Sequence, residues 1–262
     1  MTLATRSVAL ALFALASQTA GAGQPCLEKP PAAESLARSS TLATMVRSRL
    51  EDSKLSMALI ARIGMDMSEY GLRYTHLGVA WRDHPRSRWH TFHLMNKCGT
   101  GQSELLEQTL EDFFRVELHE FEALVLAPSF PLQLKLQKAF FGPAAHQLHE
   151  REYNMIAHPY SVKYQNSNQW ILEVLASVLA PPGGVANRQQ AQAWLKENGY
   201  VPGEIPISPG RRAAAVLFSA HVRFSDHTDE ELFSRRYSVV SVESIVRFLE
   251  LIDPGLVKVT LK

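Results

Sequence analysis

The chain has 262 residues, of which 46% are hydrophobic and 20% charged. That length holds one large domain or two small ones, and the composition excludes a disordered, collagenous or coiled-coil chain. A formal net charge of +1 supplies no basic excess for a phosphate backbone, so no nucleic-acid partner is expected. Two cysteines, Cys26 and Cys98, are too few for a disulfide framework or a cysteine-ligated zinc site.

Residues 1–22 read as a signal peptide. Arg6 supplies a positive start, Val8 to Ala16 is apolar, and Ala20-Gly-Ala22 offers small residues before a cleavage site. The apolar run is too short to span a bilayer and no later segment is long enough, so the expected location is periplasmic or secreted, without a membrane span. Gly-Gln-Pro before Cys26 lacks the residues of a lipoprotein signal. Export permits a Cys26–Cys98 disulfide; the alternative is two unpaired thiols.

Residues 23–262 are expected to form a single α+β domain. Glu34 to Asp52 has helical spacing of Leu36, Leu42, Met45, Val46 and Leu50. Met57 to Gly64 reads as a buried strand. Tyr74 to Trp81 and Trp89 to Met95 read as strands, joined in a hairpin by a polar, proline-containing turn. Ser103 to Phe114 has the spacing of an amphipathic helix. Ala123 to Ala127 reads as a strand that Pro128 ends, and Leu132 to Phe141 as a helix, with a second helix expected through His146 to Met155. Tyr160 to Gln165 is irregular, and a strong helix starts at Asn166 and stops before Pro181-Pro-Gly-Gly. Gln189 to Asn198 reads as a short helix, Ala213 to Phe218 as a strand, and Val242 to Ile252 as a closing amphipathic helix. Strands and helices without regular βαβ alternation give α+β: an antiparallel sheet with packed helices.

Several motifs lead nowhere. His119-Glu120 and His149-Glu150 lack the second histidine of a zinc-protease helix, and neither a Gly-x-Ser-x-Gly elbow nor a Walker loop occurs. Gly99-Thr-Gly101 is a fragment of a phosphate turn. His146 and His149 could share a helix face, but no third ligand is nearby. His221, Asp226 and His227 sit in what reads as a polar loop. No cofactor and no metal are expected.

The informative residues are His76, His93 and Tyr164-Gln-Asn-Ser-Asn-Gln-Trp170. Alternation puts His76 on one strand face with Gly78, a gap through which something could approach the imidazole. In a hairpin, paired residue numbers sum to a constant. A sum of 169 sets His76 opposite His93, any odd sum puts both on one face, and an even sum separates them. Ser167 falls in the first turn of its helix, where N–H groups and the positive dipole end would stabilise an oxyanion. The alternative is that Asn166 or Ser167 merely caps the helix.

Taken together, these segments resemble the circularly permuted papain-like superfamily that includes lecithin:retinol acyltransferase. There a histidine strand and a second strand bearing His or a polar residue precede a helix opening with Asn-Cys. Thr75-His76-Leu-Gly-Val-Ala matches the first strand, Phe92-His93-Leu the second, and Asn166-Ser167-Asn168 the helix start. The likeness covers a core of about 57–180, leaving 181–262 as a C-terminal extension. Through Ala-Leu-Ile-Ala-Arg, Tyr-Gly-Leu-Arg-Tyr and Tyr-Gln-Asn-Ser-Asn-Gln-Trp, the whole mature chain resembles a bacterial exported family of unknown function more closely still. The resemblance implies that His76 is a general base, His93 its orienter and Ser167 a nucleophile in place of Cys, with Asn166 and Asn168 as binding residues beside it. Serine is far less acidic than a thiol and needs a well-placed base. The reading that follows is a serine-variant amide or ester hydrolase or acyltransferase acting on an unknown envelope substrate. The alternatives are a catalytically degenerate domain that binds a protein or other envelope partner, and a structural envelope protein whose two histidines are satisfied in the core.

Overall fold

The computed structural model describes residues 31–262. The proposed signal peptide and Cys26 lie outside the described residues. Cys98 is disulfide-bonded.

The centre is β1 (Met57–Ile63), buried at every position. It is apolar except for Arg62, because helices cover both faces of its sheet. Around it the strands β2 (His76–Asp83), β3 (Arg88–Asn96), β4 (Ser103–Gln108), β5 (Glu120–Ala127) and β8 (Val257–Leu261) line up as β4-β3-β2-β1-β5-β8. Every neighbouring pair is antiparallel. The final strand pairs outside β5, with Val125 opposite Val259, so the end of the extension completes the main sheet.

Alternation sorts the strand side chains between two cores. On one face Leu77, Val79 and Trp81 pack with Trp170, Ile171 and Val174 of α5 (Ser167–Leu179). That layer also holds α3 (Phe130–Phe141), α6 (Arg188–Glu197) and α9 (Val242–Ile252). On the other face Ala58, Ile60 and Ala80 meet Leu42, Val46 and Leu50 of α1 (Ala33–Glu51) and Phe113 of α2 (Leu110–Phe114). A small sheet of β6 (Gly203–Pro206) and β7 (Arg236–Val239) stands over a third cluster with Ile156 and Phe224.

Three segments differ from the sequence reading. Ser103 to Phe114 is not one helix but edge strand β4 followed by the short α2. Leu105 and Leu106 pair with Leu94 and His93, and Thr109 interrupts the run as an N-cap, accepting from the Asp112 N–H at 3.1 Å. His146 to Met155 is not helical: α4 (Ala144–Gln147) is a single turn, and the chain then runs as an irregular segment bridged to Gln165 at Tyr153. Ala213 to Phe218 is not a strand but the end of α7 (Pro209–Phe218). Its start is a Ser208 cap with proline at the first helical position, and its three alanines favour helix. The tail also carries α8 (Asp229–Ser234), opened by a Thr228–Glu231 capping box. No helix among the described residues is long and apolar enough to cross a membrane.

Candidate active site

Ser167 is held in place by the loop before it. Buried Asn154 donates to the Arg223 carbonyl at 2.8 Å and to Asp226 at 3.0 Å, tying this loop to the C-terminal region. Buried Gln165 donates to the Leu148 carbonyl at 2.9 Å and to Glu173 at 2.6 Å. Glu173 in turn forms an ion pair with Arg188 at 2.8 Å, so the first turns of α5 sit on a fully buried polar network. Asn166 is the N-cap, its side chain accepting from the Gln169 N–H at 2.7 Å. Its amide reaches the Val240 carbonyl at 3.3 Å.

The histidines are set by how β2 and β3 separate. Their ladder runs from Asp83–Arg88 to Val79–Phe92 and ends there. The register has the odd parity that places His76 and His93 on one face. It is shifted by two residues from the arrangement with His76 directly opposite His93, so the rings meet diagonally. Beyond the last pair the strands part, and the N-terminus of α5 fills the opening. Asn168 accepts from the Leu77 N–H at 3.1 Å and donates to the Thr75 carbonyl at 3.4 Å. The entry to β2 is pinned by Glu243 of α9, which accepts from the Arg73 and Tyr74 N–H groups at 2.8 and 2.9 Å.

These constraints bring the three expected residues into one chain of contacts. His76 Nδ1 lies 3.3 Å from Ser167 Oγ, and His76 Nε2 lies 2.8 Å from His93 Nδ1. If Ser167 donates to Nδ1, His76 carries its proton on Nε2 and gives it to His93 Nδ1. His93 then holds its own proton on a buried Nε2 that makes no hydrogen bond of ordinary length. Gln108 of β4 is the polar neighbour there, and its interaction favours the protonated ring. On the other side of Ser167 stands Tyr153, whose phenol burial pushes up to about 12, with the Ser167 hydroxyl acting in the opposite direction.

The surroundings oppose positive charge. Burial first, then the Arg62 guanidinium, hold His76 well below the ordinary histidine range, and the same two causes bring His93 down to about 3. Arg62 lies opposite His76 on β1 and is itself buried. It donates to the Phe113 carbonyl and lies 4.5 Å over the Phe113 ring. Among the described residues no carboxylate pairs with it, and desolvation lowers it to about 9. Sequence reasoning gave Arg62 no role, although an arginine inside Ala-Leu-Ile-Ala-Arg-Ile, an otherwise apolar run, was a visible signal.

The gap expected at Gly78 is filled. A methyl there would lie 2.8 Å from the Phe113 ring and 3.1 Å from Thr91. Glycine serves close packing of an aromatic ring, and nothing approaches the imidazole from that side. Ser167 and His76 each keep 8% of their surface exposed.

The remaining sequence candidates part company. His149 Nε2 is 2.9 Å from Ser103 Oγ, whereas His146 turns to Glu107, 3.6 Å away. His227 uses both ring nitrogens, on Glu231 at 3.0 Å and the Ile156 carbonyl at 2.7 Å, and Asp226 holds the His158 N–H at 2.9 Å. These are structural ties of the loop before α5. Gly101 closes a turn, its carbonyl accepting from the Tyr153 N–H at 2.7 Å.

No curated protein and no solved structure matches the chain. A bacterial family described as "Uncharacterized protein conserved in bacteria (DUF2145)" matches residues 49–249, most of the length, and the chain belongs to that family.

Proposed function

We propose that this chain is an exported envelope protein with a serine-variant papain-like site, acting as an amide or ester hydrolase or acyltransferase. The observation that carries the reading is the continuous contact Ser167–His76–His93 at the N-terminus of α5. In the proposed step Ser167 Oγ attacks the substrate carbonyl carbon and its proton passes to His76 Nδ1, while His93 holds the other side of that ring. The Asn166 cap uses the Gln169 N–H. The N–H groups of Ser167 and Asn168, which helix geometry leaves without intrahelical acceptors, face the developing oxyanion. Proton return to the leaving amine or alcohol gives an acyl-serine, which water or an acceptor alcohol or amine then resolves. The disulfide at Cys98 supports an oxidising compartment and therefore export.

A second reading has its own observation. Protonating His76 beside the unpaired Arg62 cation is unfavourable, and no carboxylate offsets it, unlike the aspartate of a serine triad. This favours a domain that has lost catalysis and keeps the fold for binding a partner. A fluorophosphonate probe separates the two. The first reading expects labelling of the wild type and none of Ser167→Ala or His76→Ala. Equal labelling of all three, or none of any, supports the second reading and removes the first.

A further inference from the structure

At the far end of the same hairpin, the structure assigns a divalent transition-metal site of the zinc class to His84, His90 and Glu107. Their donor atoms all lie within 4.8 Å of one another. His84 comes from the β2–β3 turn, His90 from the start of β3 and Glu107 from β4, so the cluster joins three chain segments. The two imidazoles stack at 4.2 Å, and His90 Nε2 lies 3.8 Å from a Glu107 carboxylate oxygen. Two imidazoles and a carboxylate are a borderline-soft set that suits zinc better than calcium or magnesium, which take oxygen ligands.

The second observation is His90 itself. Its side chain is 5% exposed, and its Nε2 is buried with no hydrogen-bond partner. A buried ring nitrogen left unpaired is costly unless something occupies it. Its other nitrogen, Nδ1, lies 2.8 Å from Ser87 Oγ, the contact that orients a metal-binding imidazole from behind. The preceding residue, Trp89, is fully buried at φ 56°, a left-handed conformation that bulky residues avoid, and its indole is tied to Glu51 at 2.9 Å. His90 is thus aimed by a strained, anchored backbone.

Two groups border the cluster. His146 of α4 lies 3.6 Å from the other Glu107 oxygen. Arg86 lies 2.5 Å from Glu107 and is 67% exposed, so it competes with a cation for the carboxylate yet is free to swing into solvent. Along β3, His90 lies three residues from His93, about 10 Å at about 3.3 Å per residue, and strand alternation puts the two imidazoles on opposite faces of the sheet. Its role is therefore to clamp the hairpin turn to β4, not to take part in chemistry at Ser167.

The test is zinc titration of the untagged, metal-stripped full chain against a chromophoric chelator, with cobalt absorption reporting ligand geometry. One saturable site is expected with a dissociation constant at or below about 1 μM, together with a rise in melting temperature on loading. His84→Ala and Glu107→Gln alter partly exposed residues and should fold; each is expected to weaken binding by about 10- to 100-fold. Arg86→Ala removes the competitor and is expected to tighten binding, an outcome that a merely structural cluster would not give. Ser167→Ala is expected to bind as the wild type does. Absence of a saturable site, or equal affinity in wild type, His84→Ala and Glu107→Gln, would overturn the assignment.

Discussion

At one end of the β2–β3 hairpin, His76 and His93 meet in a dry opening beside a guanidinium. At the other, His84 and His90 stack beside a carboxylate. The residue type and the two strands are the same; the neighbours differ. Where the ladder parts, a helix start inserts a hydroxyl and the imidazoles form a line along which a proton can move. Where the ladder stays closed, both rings face one acidic oxygen pair and form a ligand set. Histidine chemistry here is decided by register and by the sign of the nearest charge.

The contrast should be breakable at either end without disturbing the other. Gly78→Val is expected to have the largest effect, a loss of about 3 kcal/mol in urea unfolding, because the added carbons overlap the Phe113 ring. Zinc affinity at the far end should survive in the fraction that folds.

Arg62→Met tests the electrostatic half of the comparison. Removing the cation is expected to raise the titration of both inner histidines towards the ordinary range, as read by NMR. Fluorophosphonate labelling should accelerate with it. Histidine titrations that stay where they were would show that burial alone sets them.

The wild-type pH profile follows from the same residues. Unfolded histidine protonates near 6.5, whereas His93 in the folded chain holds off until about 3 and His76 is also strongly lowered. The unfolded chain therefore binds more protons in that window. Stability should fall as pH drops from about 6.5 towards 3, and Arg62→Met should flatten the fall. The smallest effect concerns Ser87→Ala, which removes the support behind His90. Zinc affinity should drop about 10-fold while the melting temperature of the metal-free chain barely moves.

How much of this was legible in the sequence depended on whether one period or two could explain a segment. The run Met57–Ile63 and the alternation through His76 and His93 had no competing helix pattern, and Asn166 before an apolar helix is a strong cap. The three site residues could therefore be named together. Ser103 to Phe114 failed because Leu105, Leu106, Leu110, Phe113 and Phe114 fit a helical face equally well. Only pairing with β3 and the Thr109 cap decide otherwise. That misreading also hid Glu107, so the outer histidines had no visible third ligand. His146 was matched with its helical neighbour His149, although the turn is too short to keep them together. Arg62 had a visible signal but no visible consequence, since its effect depends on lying across from His76.

The place of β8 bears on how the molecule is made. β5 is synthesised well before β8, the strand that seals its outer edge. Until then, the outer edge of β5 presents open hydrogen-bonding groups to anything nearby, the condition under which nascent chains pair wrongly with one another. Completion of the sheet is deferred until β8 has been made.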